Sequence, residues 1–513
     1  MSRPAGSPLS VFTATAARRF GDRICLVDGE RRFSFATFDA LVDRIASGLA
    51  RRFAPGTRVA LLMANRAEYL LLQFALERAA LVRVPINARA PVPEVRHLLS
   101  DSGAAALFLD TTTAARADAA AIDLGPLWRV NVQRPDADWR DLIEHTVEPE
   151  LLHRAALDDL CSLNYTSGSS GIPKGVMLTH RNWFAVARNM LVDRDLRADD
   201  RVAHVGPLSH ASGSYFTPWF LRGACAILVP GGQAGTLIET IERERVTVFT
   251  CVPTVLTRIV NHPAVETADL TSLRAVGYGA EPIPLNTLRK ALARFGPILT
   301  QNYGQTEAYM TIALLTPDEH FDHDGLLRIG CVGRPYSFVE AVLRAPDGSP
   351  VPQGETGEIT VRSDHVMAGY WNLPEATATA LRDGWLWSGD LARADRDGRL
   401  TLVGRSKDML ISGGFNIYPQ EIETVLTAHA EIIEAAVIGV PDPDWGEAAV
   451  AFVAPAPAAR IDANALGSYC QPLLGFRTPK RFVFVEELPK TSSGKADKTA
   501  LRRQFESEVD AHD

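Results

Sequence analysis

The sequence predicts an α/β protein: a large N-terminal domain of helix-flanked sheets plus a small β-rich subdomain, followed by a smaller α+β C-terminal domain. Three observations carry this expectation. Strand-like and helix-like runs alternate through the first part of the chain, short strands with Gly, Pro and Asp turns take over after about Cys331, and a third rhythm begins at Lys407. At 513 residues the chain exceeds what a single core serves, so two or more domains are expected.

Periodicity supplies the elements. Residues 58–63 form a β-rich run, 67–80 carry apolar residues at helical spacing, and 81–84 are apolar again, which together read as a βαβ unit. Residues 236–245 read as helix and 246–252 as strand, and a further helix, 285–295, follows the glycine-rich strand end 277–280. Parallel sheets covered by helices are implied, and a chain of this length needs more than one. The turn-rich stretches 345–362 and 395–405 predict the β-rich subdomain. Beyond Lys407 the pattern is helix 420–428, strands 435–440 and 448–454, helix 463–470 and strand 481–485. This reads as a separate lobe of about 100 residues, within the usual range for a domain. The expected division is 1–404, a hinge at 405–408, and 409–513.

Composition narrows the function classes. Hydrophobic residues at 46% and charged residues at 22% describe an ordinary soluble protein, and no apolar run reaches the roughly 18 residues that suggest a membrane span. The opening MSRPAGSPLSVF lacks a charged-then-apolar signal segment, so a cytoplasmic location is expected. A net charge of −8 with no basic block argues against a nucleic-acid surface and for small-molecule partners. The six cysteines show no paired short spacing, so neither a disulfide framework nor a zinc site is indicated. Of 53 basic residues only seven are lysine, which makes a retained lysine worth attention where a compact charge on a flexible stem is needed.

Four blocks carry chemistry. NYTSGSSGIPKGVMLTH (164–180) offers small hydroxyls and glycines whose backbone N–H groups can approach a phosphate, with Lys174 as a cation. It is not a Walker loop, which ends in Gly-Lys-Ser/Thr, and taken alone it also reads as a flexible connection. QNYGQTEAYM (301–310) places a ring, a hydroxyl and a carboxylate close together, either as a base- and Mg²⁺-binding turn or as a plain strand-end turn. The third block spans 383–423 and contains WSGDLARADRDGRLTLVGRSKDMLISGGFNIYPQEIE, and the fourth is LPKTSSGKADK, 488–498.

These blocks, in this order and joined by GEITVRSDHVMAGYWNLPEAT (357–377), resemble the adenylate-forming superfamily of acyl-CoA synthetases, adenylation domains and luciferases, over essentially the whole chain. The resemblance implies that Thr166, Ser167, Gly168, Ser169, Ser170, Gly171 and Lys174 wrap the β- and γ-phosphates of ATP. It implies that Gly279, Ala280 and Glu281 line the adenine and acyl sites, Tyr303 stacks on adenine, Thr306 meets the α-phosphate and Glu307 holds Mg²⁺. Asp390 and Arg405 match the pair that holds the ribose, and Lys495 the lysine that bridges acyl carboxylate and α-phosphate. His210 matches the mouth of the acyl pocket, with Tyr278, Gly304, Tyr309 and Met310 as further lining. Ser412, Gly413, Gly414 and Phe415 resemble the coenzyme A loop, and Lys407 the hinge of a mobile C-terminal lid.

Read singly, His210 is equally a core histidine, Asp390 a turn cap, and Lys407 and Lys495 solvated lysines. Three departures stand out: Ser169 and Ser170 replace the usual threonines, Phe415 stands where Glu or Tyr is common, and Lys498 where Arg is frequent. The implied reaction is attack of a carboxylate on the α-phosphorus of ATP, followed by acyl transfer to coenzyme A. The open alternatives are a carrier-protein phosphopantetheine or a non-thiol acceptor. The identity of the acid and the oligomeric state, a homodimer among the options, are not legible.

Overall fold

The computed structural model describes residues 8–122, 124–133, 137–152, 154–166, 172–412, 415–456, 459–490 and 496–510. Strand Arg58–Leu62, helix Ala67–Arg78 and strand Val82–Ile86 form the expected βαβ unit with parallel strands. Every residue of that helix is buried, so it runs between layers and has no solvent face. Its strands belong to a seven-stranded sheet that ends in the antiparallel strands Leu160–Thr166, Lys174–Thr179 and Gly369–Tyr370.

A second sheet has fourteen strands. Its parallel part, in spatial order, is Leu299–Tyr303, Ala275–Gly279, Val248–Cys251, Arg201–His204, Cys225–Leu228 and Ile24–Asp28. The turn-rich stretch after Cys331 does not stand apart from it. Strand Ala313–Leu315 pairs antiparallel with Leu299–Tyr303 on one side and Cys331–Pro335 on the other, which carries the hydrogen bonding unbroken into Leu400–Arg405, Trp385–Ala394 and Gly357–Arg362. The expected β-rich subdomain is therefore an extension of the parallel sheet.

Helix Ala211–Arg222 packs where the two sheets meet. Phe216 and Phe220 join Phe35, Phe38 and Phe74 in one aromatic core, while Tyr215 and Trp219 face a second core. The last sheet has five strands, among them Leu410–Ser412, Ile432–Asp442 and Gly446–Pro455, packed with helices Pro419–Thr427 and Ala463–Leu474. Helix Lys498–Asp510, which periodicity did not suggest, buries Leu501 against this lobe. Among the described residues no helix is long and apolar enough to cross a membrane, and all six cysteines are buried free thiols.

Three histidines, His180, His204 and His365, are buried, and desolvation pushes their pKa values down to about 4, about 4 and about 3. The unfolded chain titrates histidine near 6.5, so below that pH it binds more protons than the folded chain. The stabilising contribution is complete above about pH 6.5 and is lost as pH falls through the folded-state values. A tenfold difference in proton affinity between folded and unfolded chain is worth about 1.4 kcal/mol, so the loss on acidification is on the order of a few kcal/mol per ring. Denaturant titrations between pH 7 and 4 are expected to show falling stability, with a shallower slope in His365→Phe; a flat profile contradicts this account.

Candidate active site

The strand pair Leu160–Thr166 and Lys174–Thr179 sets Thr166 opposite Lys174 at the sheet end. Ser167, Gly168, Ser169, Ser170 and Gly171 lie outside the described residues. His97 Nε2 lies 3.0 Å from the carbonyl of Pro173, and Trp371 N–H donates to the Gly175 carbonyl at 2.7 Å, which fixes the returning strand.

Lys174 Nζ sits 5.1 Å from the centroid of the Tyr370 ring, and the Tyr370 hydroxyl donates to Glu307 Oε1 at 2.8 Å. Lys174 and Tyr370 come from the seven-stranded sheet, whereas Glu307 follows the strand Leu299–Tyr303 of the other. Burial and the nearby Glu307 charge push the Tyr370 pKa up, so the phenol remains a donor. The Glu307 backbone is held as well: its carbonyl accepts from Met367 N at 2.8 Å, and Ala308 bridges to Val366. Thr306 is half-buried beside it. Gly304 is required here, because a Cβ would come within 2.5 Å of the Met310 backbone where the segment folds back, and Met310 itself has φ +61°.

A second cluster lies on the neighbouring strands. The buried Tyr303 hydroxyl donates to Asp390 Oδ2 at 2.8 Å, and Arg405 Nε donates to Asp390 Oδ1 at 3.0 Å across directly paired strand positions. Each carboxylate oxygen retains a further lone pair. Burial and Asp390 push the Tyr303 pKa up, whereas Asp390 is the main cause of the raised Arg405 value.

His210 is the N-cap of helix Ala211–Arg222, with Ser209 Oγ 2.9 Å from its Nδ1. Solvent reaches this residue, yet protein surrounds the ring closely enough for desolvation to lower its pKa. From the first turn of the same helix, Ser214 Oγ reaches the Tyr309 hydroxyl at 3.0 Å, so His210 and Tyr309 share one helix end.

Other residues singled out by sequence are committed elsewhere. Tyr278 is buried in the core with its hydroxyl 3.0 Å from His320 Nε2. Glu281 accepts from the backbone N–H and hydroxyl of Thr254 at 2.9 and 2.7 Å, at the start of helix Pro253–Val260. Gly279 ends its strand and Ala280 follows with φ +73°. Ser412 and Phe415 are directly paired antiparallel positions, and Gly413 and Gly414 lie outside the described residues. Phe415 packs on Phe476 with ring centroids 4.8 Å apart. Lys407 lies in the short turn Ser406–Asp408, where partial burial and then Arg405 lower its pKa.

Lys495 also lies outside the described residues, but both flanks are anchored. Lys490 pairs with Glu434 and Lys498 with Glu423, each at 2.7 Å, and Asp497 N–H donates to the Pro489 carbonyl at 2.8 Å. Sequence reasoning missed Tyr370 and Ser214. Tyr370 lay inside the 357–377 block, and the Tyr-Trp pair there was a usable signal.

The sequence matches the family described as AMP-binding enzyme over residues 13–371 and its C-terminal domain over 421–495. It is 42% identical over 496 residues to a feruloyl-CoA synthase from Amycolatopsis sp, covering 96% of each chain. It is 36% identical over 489 residues to an indoleacetate–CoA ligase from Aromatoleum aromaticum, covering 92% of this chain and 93% of the relative. Among solved structures, the amide bond synthetase McbA from Marinactinospora thermotolerans superposes with a TM-score of 0.89 at 31% identity, covering 97% of this chain and 100% of that one.

Removing the phenol in Tyr303→Phe leaves one oxygen of the buried Asp390 carboxylate short of a donor. The expected loss is about 1–3 kcal/mol of stability in urea titration, and unchanged stability removes Tyr303 from the account of Asp390.

Proposed function

Because this chain belongs to the AMP-binding enzyme family, it activates a carboxylic acid as its adenylate and passes the acyl group to coenzyme A, and we propose that the acid bears an aromatic ring. The observation that carries the residue assignment is the Lys174–Tyr370–Glu307 cluster, in which one phenol holds a cation and a carboxylate from two different sheets. The names of the feruloyl and indoleacetate relatives support the aromatic class.

In this reading Lys174 and the 167–171 segment bind the leaving pyrophosphate. The chemistry of Glu307 suits Mg²⁺: it is a hard oxygen donor, with one oxygen steadied by Tyr370 and no Lys or Arg salt bridge among the described residues. The ion, when bound, supplies charge neutralisation. Thr306 meets the α-phosphate, Asp390 and Arg405 take the ribose hydroxyls, and Tyr303 forms a wall for adenine. Lys495 draws the acyl carboxylate and the α-phosphate together, two anions that otherwise repel. Phosphoryl chemistry of this kind demands in-line positioning and charge neutralisation, so no covalent enzyme intermediate is needed. A thiol then attacks the acyl carbon and AMP leaves. Use of ATP and coenzyme A supports a cytoplasmic setting.

The lobe beginning at residue 409 contains both Lys495 and the 412–415 loop, and the two serve different half-reactions. We assign 405–408 as the hinge, with Lys407 at its centre, between an ATP- and acid-binding part, 1–404, and a lid, 409–513. An amine is the competing acceptor, which the likeness to an amide bond synthetase favours over other non-thiol acceptors. Product masses with coenzyme A, a carrier protein or an amine offered separately decide between them.

Two outcomes are expected. Lys495→Ala lowers ATP–pyrophosphate exchange by about 10²–10³-fold, as for loss of one preorganised charge-stabilising donor, while thioester formation from synthetic acyl-adenylate persists. Equal loss in both assays removes Lys495 from the first step. Lys407→Pro fixes φ near −65° and deletes one backbone donor, so exchange survives and single-turnover thioester formation from preformed adenylate falls strongly. Parallel changes in the two rates refute the hinge.

A further inference from the structure

Four residues on four adjacent parallel strands lie in one row across the fourteen-stranded sheet. His204 pairs with Thr250, Thr250 with Gly277, and Gly277 with Thr300. Residues in register on neighbouring strands point to the same face. The three side chains in this row share a second property. His204 Nε2, Thr250 Oγ1 and Thr300 Oγ1 are each buried atoms with no hydrogen-bond partner among the described residues. Buried polar atoms are paired in the great majority of cases, so three orphans in one row point to a missing partner.

The row faces helix Ala211–Arg222. Asn302, two residues beyond Thr300 and therefore on the same face, donates to the Tyr215 hydroxyl of helix Ala211–Arg222, and the His204 ring lies 6.2 Å from Phe216 of that helix. His210 caps the same helix, so the row forms a floor beneath the helix whose N-terminus the proposed acyl-site residue His210 occupies. Gly277 contributes no side chain to this floor. A Cβ there would stand 2.5 Å from Thr250 Oγ1, so glycine keeps open the gap between the two threonines, whose strands lie about 10 Å apart.

The direction of the missing bond can be read from His204. Its Nδ1 lies 2.8 Å from the Ser212 carbonyl, an acceptor, so Nδ1 carries the hydrogen and Nε2 offers a lone pair. Burial keeps the ring neutral, with a pKa of about 4, which preserves that lone pair at neutral pH. The partner must donate to Nε2, and the threonine hydroxyls can both donate to it and accept from it. A carboxylate or ether oxygen cannot donate; a hydroxyl can.

We infer that His204, Thr250 and Thr300 are specificity-determining residues that read a hydroxyl group at the far end of the acid, so that the enzyme selects hydroxylated aromatic acids over their unsubstituted counterparts. The inference rests on the acyl-site reading above and deepens it. A site with polar groups set for a substrate hydroxyl discriminates against an analogue lacking it, because the groups are then left unpaired.

The test compares 4-hydroxycinnamate, cinnamate and 4-methoxycinnamate as substrates of the full-length enzyme with ATP and coenzyme A, following kcat/KM for thioester formation. The hydroxyl acid is expected to exceed the other two by at least tenfold, the methoxy compound failing because it has no hydrogen to give Nε2. The near-isosteric Thr250→Val and Thr300→Val keep the packing and are expected to shrink the ratio several-fold by slowing the hydroxyl acid alone; His204→Phe should abolish it. Equal rates for the three acids in the wild type overturn the inference, as does full retention of the preference in both valine variants. No thioester from any aromatic acid overturns the aromatic reading instead. The same hydroxylated and plain comparison is then made on whichever acid class supports exchange, where equal rates overturn the row.

Discussion

Asp390 is the point through which the proposed nucleotide site is tied to the rest of the molecule. Its carboxylate takes one bond from Tyr303, at the end of a parallel strand, and one from Arg405, at the end of an antiparallel one. Those strands are joined only through the Ala313–Leu315 and Cys331–Pro335 pairings, so the carboxylate spans a gap that the backbone ladder crosses in several steps. Arg405 is also the last residue before the turn Ser406–Asp408. A buried carboxylate is tolerable only while its donors stay in place. In the proposed hinge, 405–408, Arg405 is therefore the anchored end, and a change of backbone angle falls on the turn Ser406–Asp408 that follows it.

The side proposed for the phosphates is arranged differently. There the polar groups are half-exposed and drawn from two sheets, with Tyr370 as the intermediary between Lys174 and Glu307. A phenol suits that position because its face attracts a cation while its hydroxyl donates to an anion. Lys174 and Glu307 are thereby held near one another without forming a closed ion pair, leaving both charges usable by a ligand that carries phosphate and metal together. The Lys174–Tyr370–Glu307 cluster sits at the seam between sheets because neither sheet alone brings both charges to one place.

Local order was legible in the sequence and long-range order was not. The helix Leu285–Phe295 appears with the limits its apolar spacing implies, and the βαβ unit around residues 58–86 follows from periodicity alone. The continuity of the fourteen-stranded sheet could not be read, because a Gly- and Pro-rich texture looks the same whether its strands form their own sheet or extend another. Within the site, the four blocks led to Lys174, Tyr303, Glu307, Asp390 and Arg405, and the clusters that contain them do form. Tyr370, the Asp390–Tyr303 bond and the row of His204, Thr250 and Thr300 depend on strand register between distant segments, which no local pattern records. Tyr278 shows the converse: its place beside Gly279 suggested a pocket wall, but alternation along the strand turns it into the core against His320.

The scarcity of lysine has a chemical consequence once the reaction is known. An acyl-adenylate is an acylating agent, and an amine is a nucleophile it can capture. Arginine supplies most of the positive charge of this chain, and its guanidinium is a far poorer nucleophile. Four of the lysines away from the proposed site are engaged: Lys490 and Lys498 in ion pairs, Lys480 over the Trp445 ring, and Lys290 with Asn261. Away from the site itself, such an enzyme thus presents few amines to the intermediate, which limits self-modification whenever the intermediate escapes before the thiol arrives.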